Sequence, residues 1–260
     1  MKIKEILNAL ERFAPLPLQD DYDNAGLQIG LTDAEVTGAL LCLDVTEPVL
    51  DEAIALGYNL VVAHHPLIFH GCKSITGRNY IERCILKAIK NDIVIYCAHT
   101  NLDNALQGVS FKMAEKMGLT DVRLLVPQDP TCQAGAGVIG RLPEPATELE
   151  FLKAIKKTFE VACLRHNKLT GREIETVALC GGAGAFLMQA AIGQHADVFL
   201  TGEIKYHDFF GHEDDILLAE MGHYESEQYT KEIFAQIIQE ACPGVEMQMT
   251  KVNTNPIKYL

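Results

Sequence analysis

The stretch Val61-Val62-Ala63-His64-His65-Pro66 places two adjacent histidines at the end of an apolar run. Residues 59–63 are predicted to form a buried β-strand, which ends at Pro66 because proline lacks a backbone N–H. Side chains alternate across a strand, so two neighbouring imidazoles can face one point only where the chain turns. In α/β proteins the carboxyl ends of strands carry the chemistry, and paired imidazoles there indicate a transition metal. A pair of hydrogen-bonded histidines beside a loop is the alternative interpretation.

Two further apolar runs are also followed by residues that can bind a metal ion. The run at residues 93–98 is followed by Asp103, and the run at residues 216–219 is followed by His223 and Glu227. His223 and Glu227 are four positions apart and would share one face of a helix. The three predicted strand ends together supply three histidines and two carboxylates, namely His64, His65, Asp103, His223 and Glu227.

Five ligands exceed the need of a catalytic zinc, which takes three protein ligands and water. They suit two divalent ions about 3.5–4 Å apart that share one carboxylate. In the arrangement we predict, Glu227 bridges both ions, His65 and Asp103 complete one set of ligands, and His64 and His223 complete the other. Histidine and carboxylate ligation admits Zn, Fe, Mn, Co or Ni.

Longer motifs surround these residues. They are Asp23-Asn24-Ala25-Gly26-Leu27-Gln28-Ile29-Gly30, His64-His65-Pro66-Leu67-Ile68-Phe69, His99-Thr100-Asn101-Leu102-Asp103, Thr201-Gly202-Glu203-Ile204-Lys205-Tyr206-His207-Asp208 and Gly222-His223-Tyr224-Glu225-Ser226-Glu227. In sequence and order they resemble the GTP cyclohydrolase 1 type 2 homologue family, the YbgI-type dinuclear metal centre proteins. The resemblance runs from the N-terminal helix to Asn255-Pro256, and the five predicted ligands fall on the family's ligand positions. One departure is Tyr22, where the family often has Trp.

The resemblance implies two intertwined α/β lobes with mixed sheets, a dinuclear metal site in the cleft between them, and a homohexameric ring. Alternating strand-like and helix-like runs independently predict an α/β fold. A polar, proline-marked turn at residues 126–130 favours a lobe boundary there. We therefore expect an N-terminal lobe at residues 1–126 with the His-His and His/Asp motifs. The C-terminal lobe would span residues 127–260, and its final helix would carry His223 and Glu227 at the cleft.

Composition favours a cytoplasmic protein. The chain has 260 residues, of which 48% are hydrophobic, and its formal net charge is −13. No apolar stretch reaches the roughly 18 residues of a membrane span, the N-terminus shows no signal-peptide region, and the cysteines lack C-x-x-C spacing. The absence of a basic stripe argues against nucleic-acid binding. The negative net charge does not exclude a small anionic substrate, because bound divalent cations would make the local electrostatic potential of the site positive.

Candidate catalytic groups lie close to the motifs. His99 is one helical turn before Asp103 and is either a sixth ligand or a residue that orients a ligand. Glu203, Lys205 and His207 follow the predicted strand at 198–201. They are either a capped surface helix or acid/base and anion contacts, with Glu203 and His207 as catalytic candidates and Lys205 as a substrate-binding candidate.

Two loop segments also have two interpretations each. Asp23 and Asn24 form a tight turn or contribute substrate-binding groups. The glycine turn Gly181-Gly182-Ala183-Gly184 follows a strand and opens a helical pattern. Its backbone N–H groups could hold a phosphate, although it lacks the P-loop lysine, and a close turn is the alternative.

The function predicted from these features is metal-dependent hydrolysis. A metal-held water with a pKa near neutrality would attack the substrate. With the activity in the family's name, the hydroxide would attack C8 of the guanine of GTP, open the imidazole ring and release formate. A two-metal phosphoesterase and a non-catalytic metal-binding or assembly protein are the alternatives.

Overall fold

The computed structural model describes residues 1–128, 130–131 and 133–260. The chain divides into two compact units. Unit 1 comprises Met1–Ala105 and Thr230–Pro256, and unit 2 comprises Leu106–Tyr229 and Ile257–Leu260. The chain therefore leaves unit 1, forms most of unit 2, returns to unit 1, and adds its last four residues to unit 2. Each unit contains one mixed sheet with helices, which confirms the predicted α/β class with two intertwined lobes.

The elements are numbered in chain order. The strands of the described residues are β1 (Gly26–Ile29), β2 (Ala39–Cys42), β3 (Leu60–Ala63), β4 (Val94–Cys97), β5 (Thr120–Pro127), β6 (Gly135–Thr147), β7 (Arg165–His166), β8 (Glu173–Cys180), β9 (Val198–Thr201), β10 (Leu217–Glu220) and β11 (Met247–Met249). The α-helices are α1 (Ile3–Phe13), α2 (Glu47–Leu56), α3 (Tyr80–Lys90), α4 (Thr100–Asp103), α5 (Val109–Met117), α6 (Glu148–Thr158), α7 (Met188–Gly193), α8 (His223–Glu227) and α9 (Thr230–Ala241). Short 3-10 helices lie at Leu16–Leu18, Gly184–Leu187 and Tyr206–Phe209.

The sheet of unit 1 has the strand order β1-β4-β3-β2-β11. β1 is antiparallel to β4, whereas the other neighbours are parallel. Cys42 lies opposite Ala63, and Ala63 lies opposite Cys97, so β2, β3 and β4 end at the same edge. All residues of these strands are buried, as expected for parallel strands covered on both faces. The loops that follow them therefore emerge together.

The sheet of unit 2 has the strand order β5-β6-β8-β9-β10-β7. Its centre, β8, β9 and β10, is parallel, with Cys180 opposite Thr201 and Thr201 opposite Glu220. The carboxyl ends of these three strands also share one edge. Separate hydrophobic clusters, one around Phe159 and one around Phe199, pack against the sheet.

The predicted lobe boundary at residue 126 lies in a β-hairpin of unit 2. β5 and β6 pair antiparallel, with Val126 opposite Ala136, so a ladder of main-chain hydrogen bonds crosses that boundary. The chain instead passes between the compact units after Ala105, after Tyr229 and after Pro256. Of the turn that suggested the boundary, Asp129 lies outside the described residues.

The segment with His223 and Glu227 also differs from the expected final helix. These residues begin and end α8, a helix of five residues. The final helix is α9, which begins at Thr230 and belongs to unit 1. Over the stretches that the structure describes, no helix has the length and apolar character to cross a membrane.

Candidate metal centre

His64 follows β3 and is completely buried, with 0% of its surface exposed. Its Nδ1 lies 2.8 Å from the carbonyl oxygen of Ala98. A carbonyl oxygen only accepts, so Nδ1 carries the proton and Nε2 presents its lone pair. That Nε2 lies 3.7 Å from Oδ1 of Asp103, which is too long for a direct hydrogen bond. The two atoms are placed as two ligands of one ion would be.

His65 is held by a carboxylate that sequence analysis missed. Its Nδ1 lies 2.7 Å from Oδ1 of Asp44, and the Thr254 hydroxyl donates to Oδ2 of Asp44 at 2.6 Å. Burial alone would raise the pKa of Asp44, but the hydrogen bonds with His65 and Thr254 and the charge interactions with the histidines together outweigh it, so the pKa is lower than usual. The pairing leaves Nε2 of His65 as the nitrogen for a metal. Asp44 could have been found, because it is the second residue after β2, as His65 is the second residue after β3.

His99 stands just before α4 and is held in the same way. Its Nδ1 lies 2.7 Å from Oδ1 of Asp23, whose side chain is 0% exposed. Oδ2 of Asp23 accepts from the Thr100 amide at 3.0 Å and from its hydroxyl at 2.5 Å. Burial would raise the pKa of Asp23, but these hydrogen bonds hold it well below its usual range. Asp23 is thus a positioning residue for His99.

The three imidazoles of unit 1 form one cluster. The ring centroids of His64 and His65 are 5.0 Å apart, and that of His99 is 5.3 Å from His64 and 5.5 Å from His65. One nitrogen from each ring lies within 4.8 Å of the others. The three rings can therefore share the space around a cation, and His99 remains compatible with a ligand or an orienting role.

Asn24 and Asn101 fix the loops around this cluster. The Asn24 side chain donates to the carbonyl of Ile68 at 2.6 Å, which ties the turn to the segment after His65. Asn101 is buried and donates to the carbonyl of Ala14 at 2.7 Å. Asn24 is therefore a structural contact here, in agreement with its tight-turn interpretation.

In unit 2, His223 and Glu227 share one face of α8. Nε2 of His223 lies 2.9 Å from Oε2 of Glu227. Nδ1 of His223 lies 2.9 Å from Oε1 of Glu203, which follows β9. Glu227 is buried. A buried carboxylate is costly unless it is paired or bound to a metal, so this pair is a second group of candidate ligands.

The glycine turn after β8 makes room for Glu227. Gly182 has a φ of +59°, and a Cβ atom there would overlap the Glu227 carboxylate. The amide of Gly182 donates to the Ser226 hydroxyl, and the amide of Gly184 donates to the Thr201 hydroxyl, both at 3.0 Å. With these amides engaged, the turn is better explained as a close approach than as a phosphate site.

The remaining predicted residues line a cleft in unit 2. Glu203, Lys205 and His207 border a space of about 660 Å³ together with the ring of Phe210. Lys205 and His207 are exposed, so neither is a buried structural group. Of the two interpretations of this segment, the capped surface helix does not account for the contact of Glu203 with His223.

These groups fit a divalent transition metal. Four histidines of the predicted site have Nδ1 against an oxygen acceptor, which leaves Nε2 available as a ligand atom. Protein metal sites characteristically use such carboxylate and carbonyl contacts to fix the tautomer and ring of a ligand. These four are His64, His65, His99 and His223. The exposed His166 lies outside the predicted site, and its Nδ1 has the same kind of contact, 2.6 Å from the carbonyl oxygen of Asn167.

The fold and these residues define an α/β protein with candidate histidine and carboxylate metal ligands in each unit. The chain belongs to the Duf34/NIF3 (NGG1p interacting factor 3) family, whose model matches residues 1–256. It is 33% identical over 265 residues to a Lactococcus lactis protein and 30% identical over 262 residues to a Clostridium perfringens protein, both called GTP cyclohydrolase 1 type 2 homolog. The alignments cover 98% and 100%, respectively, of both chains. The family resemblance predicted from sequence is confirmed.

A solved structure supports the fold over the full length. The chain superposes on a Staphylococcus aureus hypothetical protein with a TM-score of 0.92 at 29% sequence identity. The match covers 100% of this chain and 99% of that one.

Proposed function

We propose that the protein is a hydrolase that uses two divalent cations, held by His64, His65, Asp103, His223 and Glu227. The observation that carries the proposal is that histidines whose Nδ1 contacts an oxygen acceptor present Nε2 to a carboxylate, at 3.7 Å from Asp103 for His64 and at 2.9 Å from Glu227 for His223. Such a contact of Nδ1 fixes the orientation and the tautomer of the imidazole ring, and it leaves the lone pair of Nε2 available to a metal ion. The ligand types admit Zn, Fe, Mn, Co or Ni.

The proposed roles follow the charge and burial of the residues. Glu227 would be the ligand shared by both ions, because a buried carboxylate is costly unless it is paired or binds a metal. His64 and Asp103, whose Nε2 and Oδ1 atoms lie 3.7 Å apart, would complete one set of ligands, and His65 and His223 would complete the other, which departs from the pairing predicted from sequence. Asp44 orients His65, and Glu203 orients His223, because each carboxylate accepts a hydrogen bond from Nδ1–H of its histidine.

A pair of divalent ions supplies Lewis acidity and lowers the pKa of water toward neutrality. The chain's own side chains supply the rest of the chemistry. His99, held by Asp23, presents Nε2 as a group that can take or give a proton. In the cleft, His207 and Glu203 are the other acid/base candidates, and Lys205 attracts an anionic part of the substrate.

GTP is the substrate that we propose first. The relatives' name supports it, since both are called GTP cyclohydrolase 1 type 2 homolog. The reaction would be hydrolytic opening of the guanine imidazole ring at C8 with release of formate. Hydrolysis of a phosphoester and metal binding without turnover are the other two outcomes that an assay must separate.

The test combines metal analysis with turnover. Wild-type protein purified without chelator should hold about two metal ions per chain. His65→Ala and Glu227→Gln should lose metal, the second more completely because it removes the bridge, whereas the exposed His166→Ala is the matched control. Unchanged metal content in both ligand variants would refute the ligand set.

Turnover is then measured with protein loaded with each of the five metals. Formate release from GTP supports the cyclohydrolase reaction, and phosphate release from a phosphoester panel supports the phosphoesterase. Inertness with every metal would refute the hydrolase and leave a metal-binding or assembly protein. We also propose a homohexamer in the cytoplasm, in line with the family resemblance.

A further inference from the structure

The last strand of the chain ends beside the strands that carry the candidate ligands of unit 1. β11 is parallel to β2, with Met249 opposite Leu41, so the chain that follows β11 leaves the sheet at the edge where β2 and β3 also end. We call residues 250–254 the C-terminal segment. It belongs to unit 1, as Asp44 and His65 do.

The path of the C-terminal segment is fixed by contacts that involve no candidate ligand. Glu52 on α2 accepts hydrogen bonds from the Thr250 hydroxyl and, at 3.1 Å, from the Lys251 amide. Val252 is partly buried and packs against a hydrophobic cluster of unit 1. The segment is therefore anchored independently of the candidate metal centre.

Thr254, at the end of the segment, contacts the carboxylate behind His65. Its hydroxyl donates to Oδ2 of Asp44 at 2.6 Å, and Oδ1 of the same carboxylate lies 2.7 Å from Nδ1 of His65. The side chains of Asp44 and His65 are 33% and 23% exposed, so packing does not enclose either of them. The terminal torsion of an aspartate has broad energy minima, and hydrogen bonds to both oxygens therefore fix the plane of this carboxylate.

The same arrangement occurs behind His99. Oδ1 of Asp23 lies 2.7 Å from Nδ1 of His99, and Oδ2 of Asp23 accepts from the Thr100 hydroxyl at 2.5 Å. Asp23 and Asp44 thus each place one oxygen against an imidazole and the other against a threonine hydroxyl. The threonine adjoins its histidine in the first case, whereas in the second it is 210 positions from Asp44 in sequence. The repetition indicates that the hydroxyl is part of what holds each ring.

We propose that Thr254 is a positioning residue for the candidate metal ligand His65. By fixing Asp44, its hydroxyl holds the imidazole in the orientation and tautomer that present Nε2 to a divalent cation. The C-terminal segment thereby contributes to metal affinity through Asp44 and not as a ligand. The inference rests on the proposed function in one respect, namely that His65 is a ligand.

A double-mutant cycle on zinc affinity tests this relay, with a colorimetric chelator as competitor. Thr254→Val removes the hydroxyl, and we expect it to weaken zinc binding about 3- to 10-fold, less than the roughly 10- to 100-fold effect of losing the carboxylate itself. In the Asp44→Asn background the same substitution should weaken binding less than about twofold, because residues that act through one another are not additive. Thr254→Ser keeps the hydroxyl and should bind zinc as the wild type does.

Thr250→Val is the matched control. It makes the same substitution earlier in the same segment, where the hydroxyl donates to Glu52, a carboxylate that holds no histidine. It should lower the midpoint of urea unfolding but leave zinc affinity unchanged. The control thus separates a loosened segment from the loss of the contact with Asp44.

A second measurement needs no metal. ¹⁵N NMR of the imidazole groups distinguishes the two neutral tautomers in chelator-treated protein at about pH 8, above the ordinary histidine pKa of about 6.5. His65→Ala assigns the signals of His65. Wild type and Thr250→Val should carry the His65 proton on Nδ1, whereas Thr254→Val should show a mixture of the Nδ1–H and Nε2–H tautomers.

Three results would overturn the inference. They are a wild-type zinc affinity and tautomer in Thr254→Val, an equal loss of affinity in Thr250→Val, and an undiminished effect of Thr254→Val in the Asp44→Asn background. The proposed function is tested separately. If the variants behave as expected but no metal gives turnover, the hydrolase fails and the role of Thr254 stands. If the wild type binds no zinc, the ligand set fails and the tautomer of His65 alone decides.

Discussion

Nδ1 of His65 lies 2.7 Å from Oδ1 of Asp44, although the residues are 21 positions apart. They meet because β2 and β3 are parallel and Cys42 lies opposite Ala63, so each residue is the second beyond its strand. Unit 2 repeats the relationship, with Glu203 beyond β9 holding His223 beyond β10 at 2.9 Å. In both units, neighbouring parallel strands that end together place a carboxylate beside a candidate ligand.

The first prediction concerns the negative charge of Asp44. Asp44→Asn keeps the size of the side chain, but an amide is a weaker acceptor for Nδ1 of His65 and can offer its NH₂ group instead. We expect metal affinity to fall by about 10- to 100-fold, the usual effect of losing a carboxylate behind a metal-bound histidine. Competition with a colorimetric chelator measures this change.

Asp51→Asn is the matched control for that variant. Asp51 pairs with Lys87 at 2.6 Å on the surface of unit 1 and contacts no candidate ligand. Its loss should leave metal affinity unchanged. Equal affinities for Asp44→Asn and Asp51→Asn would show that Asp44 does not support the ligand.

The second prediction concerns the space beside Glu227. Gly182→Ala adds left-handed backbone strain and an overlap with the Glu227 carboxylate. Gly57→Ala adds the strain alone, because Gly57 has a φ of +72° and no described atom lies within 4 Å of the new Cβ atom. We expect about 1–2 kcal/mol of destabilisation for Gly57→Ala, and about 1–3 kcal/mol more for Gly182→Ala.

Urea unfolding of chelator-treated protein compares the two variants. Metal content after reloading should be normal in Gly57→Ala and reduced in Gly182→Ala, because only the second displaces a ligand. If both variants lose stability equally and both reload fully, the close approach of Gly182 to Glu227 has no functional consequence.

The parallel parts of both sheets could be predicted because their strands are continuous apolar runs. Residues 59–63 and 93–98 were expected as strands, and β3 and β4 lie within them. The ligand candidates followed from these ends, since parallel strands bring their carboxyl ends together. The helical spacing of His223 and Glu227 likewise predicted their shared face.

Other features were not visible in local patterns. The outer half of β6 is mostly exposed and contains Pro143 and Pro145, so it lacks the apolar run that identifies a strand. The polar, proline-marked segment at residues 126–130 was interpreted as a lobe boundary, although β5 and β6, on either side of it, pair as a hairpin. The return of α9 to unit 1 depends on contacts distant in sequence, which periodicity does not encode. The role of Gly182 could not be predicted, because it depends on the position of the Glu227 carboxylate in the folded chain.

The third prediction is the mass in solution. The family resemblance implies a homohexameric ring, and light scattering of the full chain at micromolar concentration should give the mass of a hexamer. Closed rings of one chain use repeated identical contacts, so intermediate masses should be minor at equilibrium. A monomer across the concentration range would refute the assembly and leave the metal ligands untouched.

The fourth prediction concerns a carboxylate far from the candidate ligands. Glu82 on α3 is buried and accepts from the Thr76 amide at 2.8 Å and the Arg78 amide at 3.0 Å. These backbone hydrogen bonds lower the pKa of Glu82 to about 2, from an ordinary value of 4.5. The carboxylate thus closes the loop that precedes α3.

The sign of the pH effect follows from this depressed pKa. The unfolded chain takes up the Glu82 proton near pH 4.5 and the folded chain only near pH 2, so its stabilisation is complete above 4.5 and declines as the pH falls toward 2. Glu82→Gln lacks the titrating group, and its amide cannot satisfy the same donors. We therefore expect the variant to be less stable than wild type at neutral pH, with a difference that narrows from roughly pH 5 to pH 3. The midpoints of urea unfolding of chelator-treated protein measure this difference in stability. Glu175→Gln, at an exposed position, is the control. A difference that is constant or grows in acid would show that the Glu82 carboxylate is not held in its charged form.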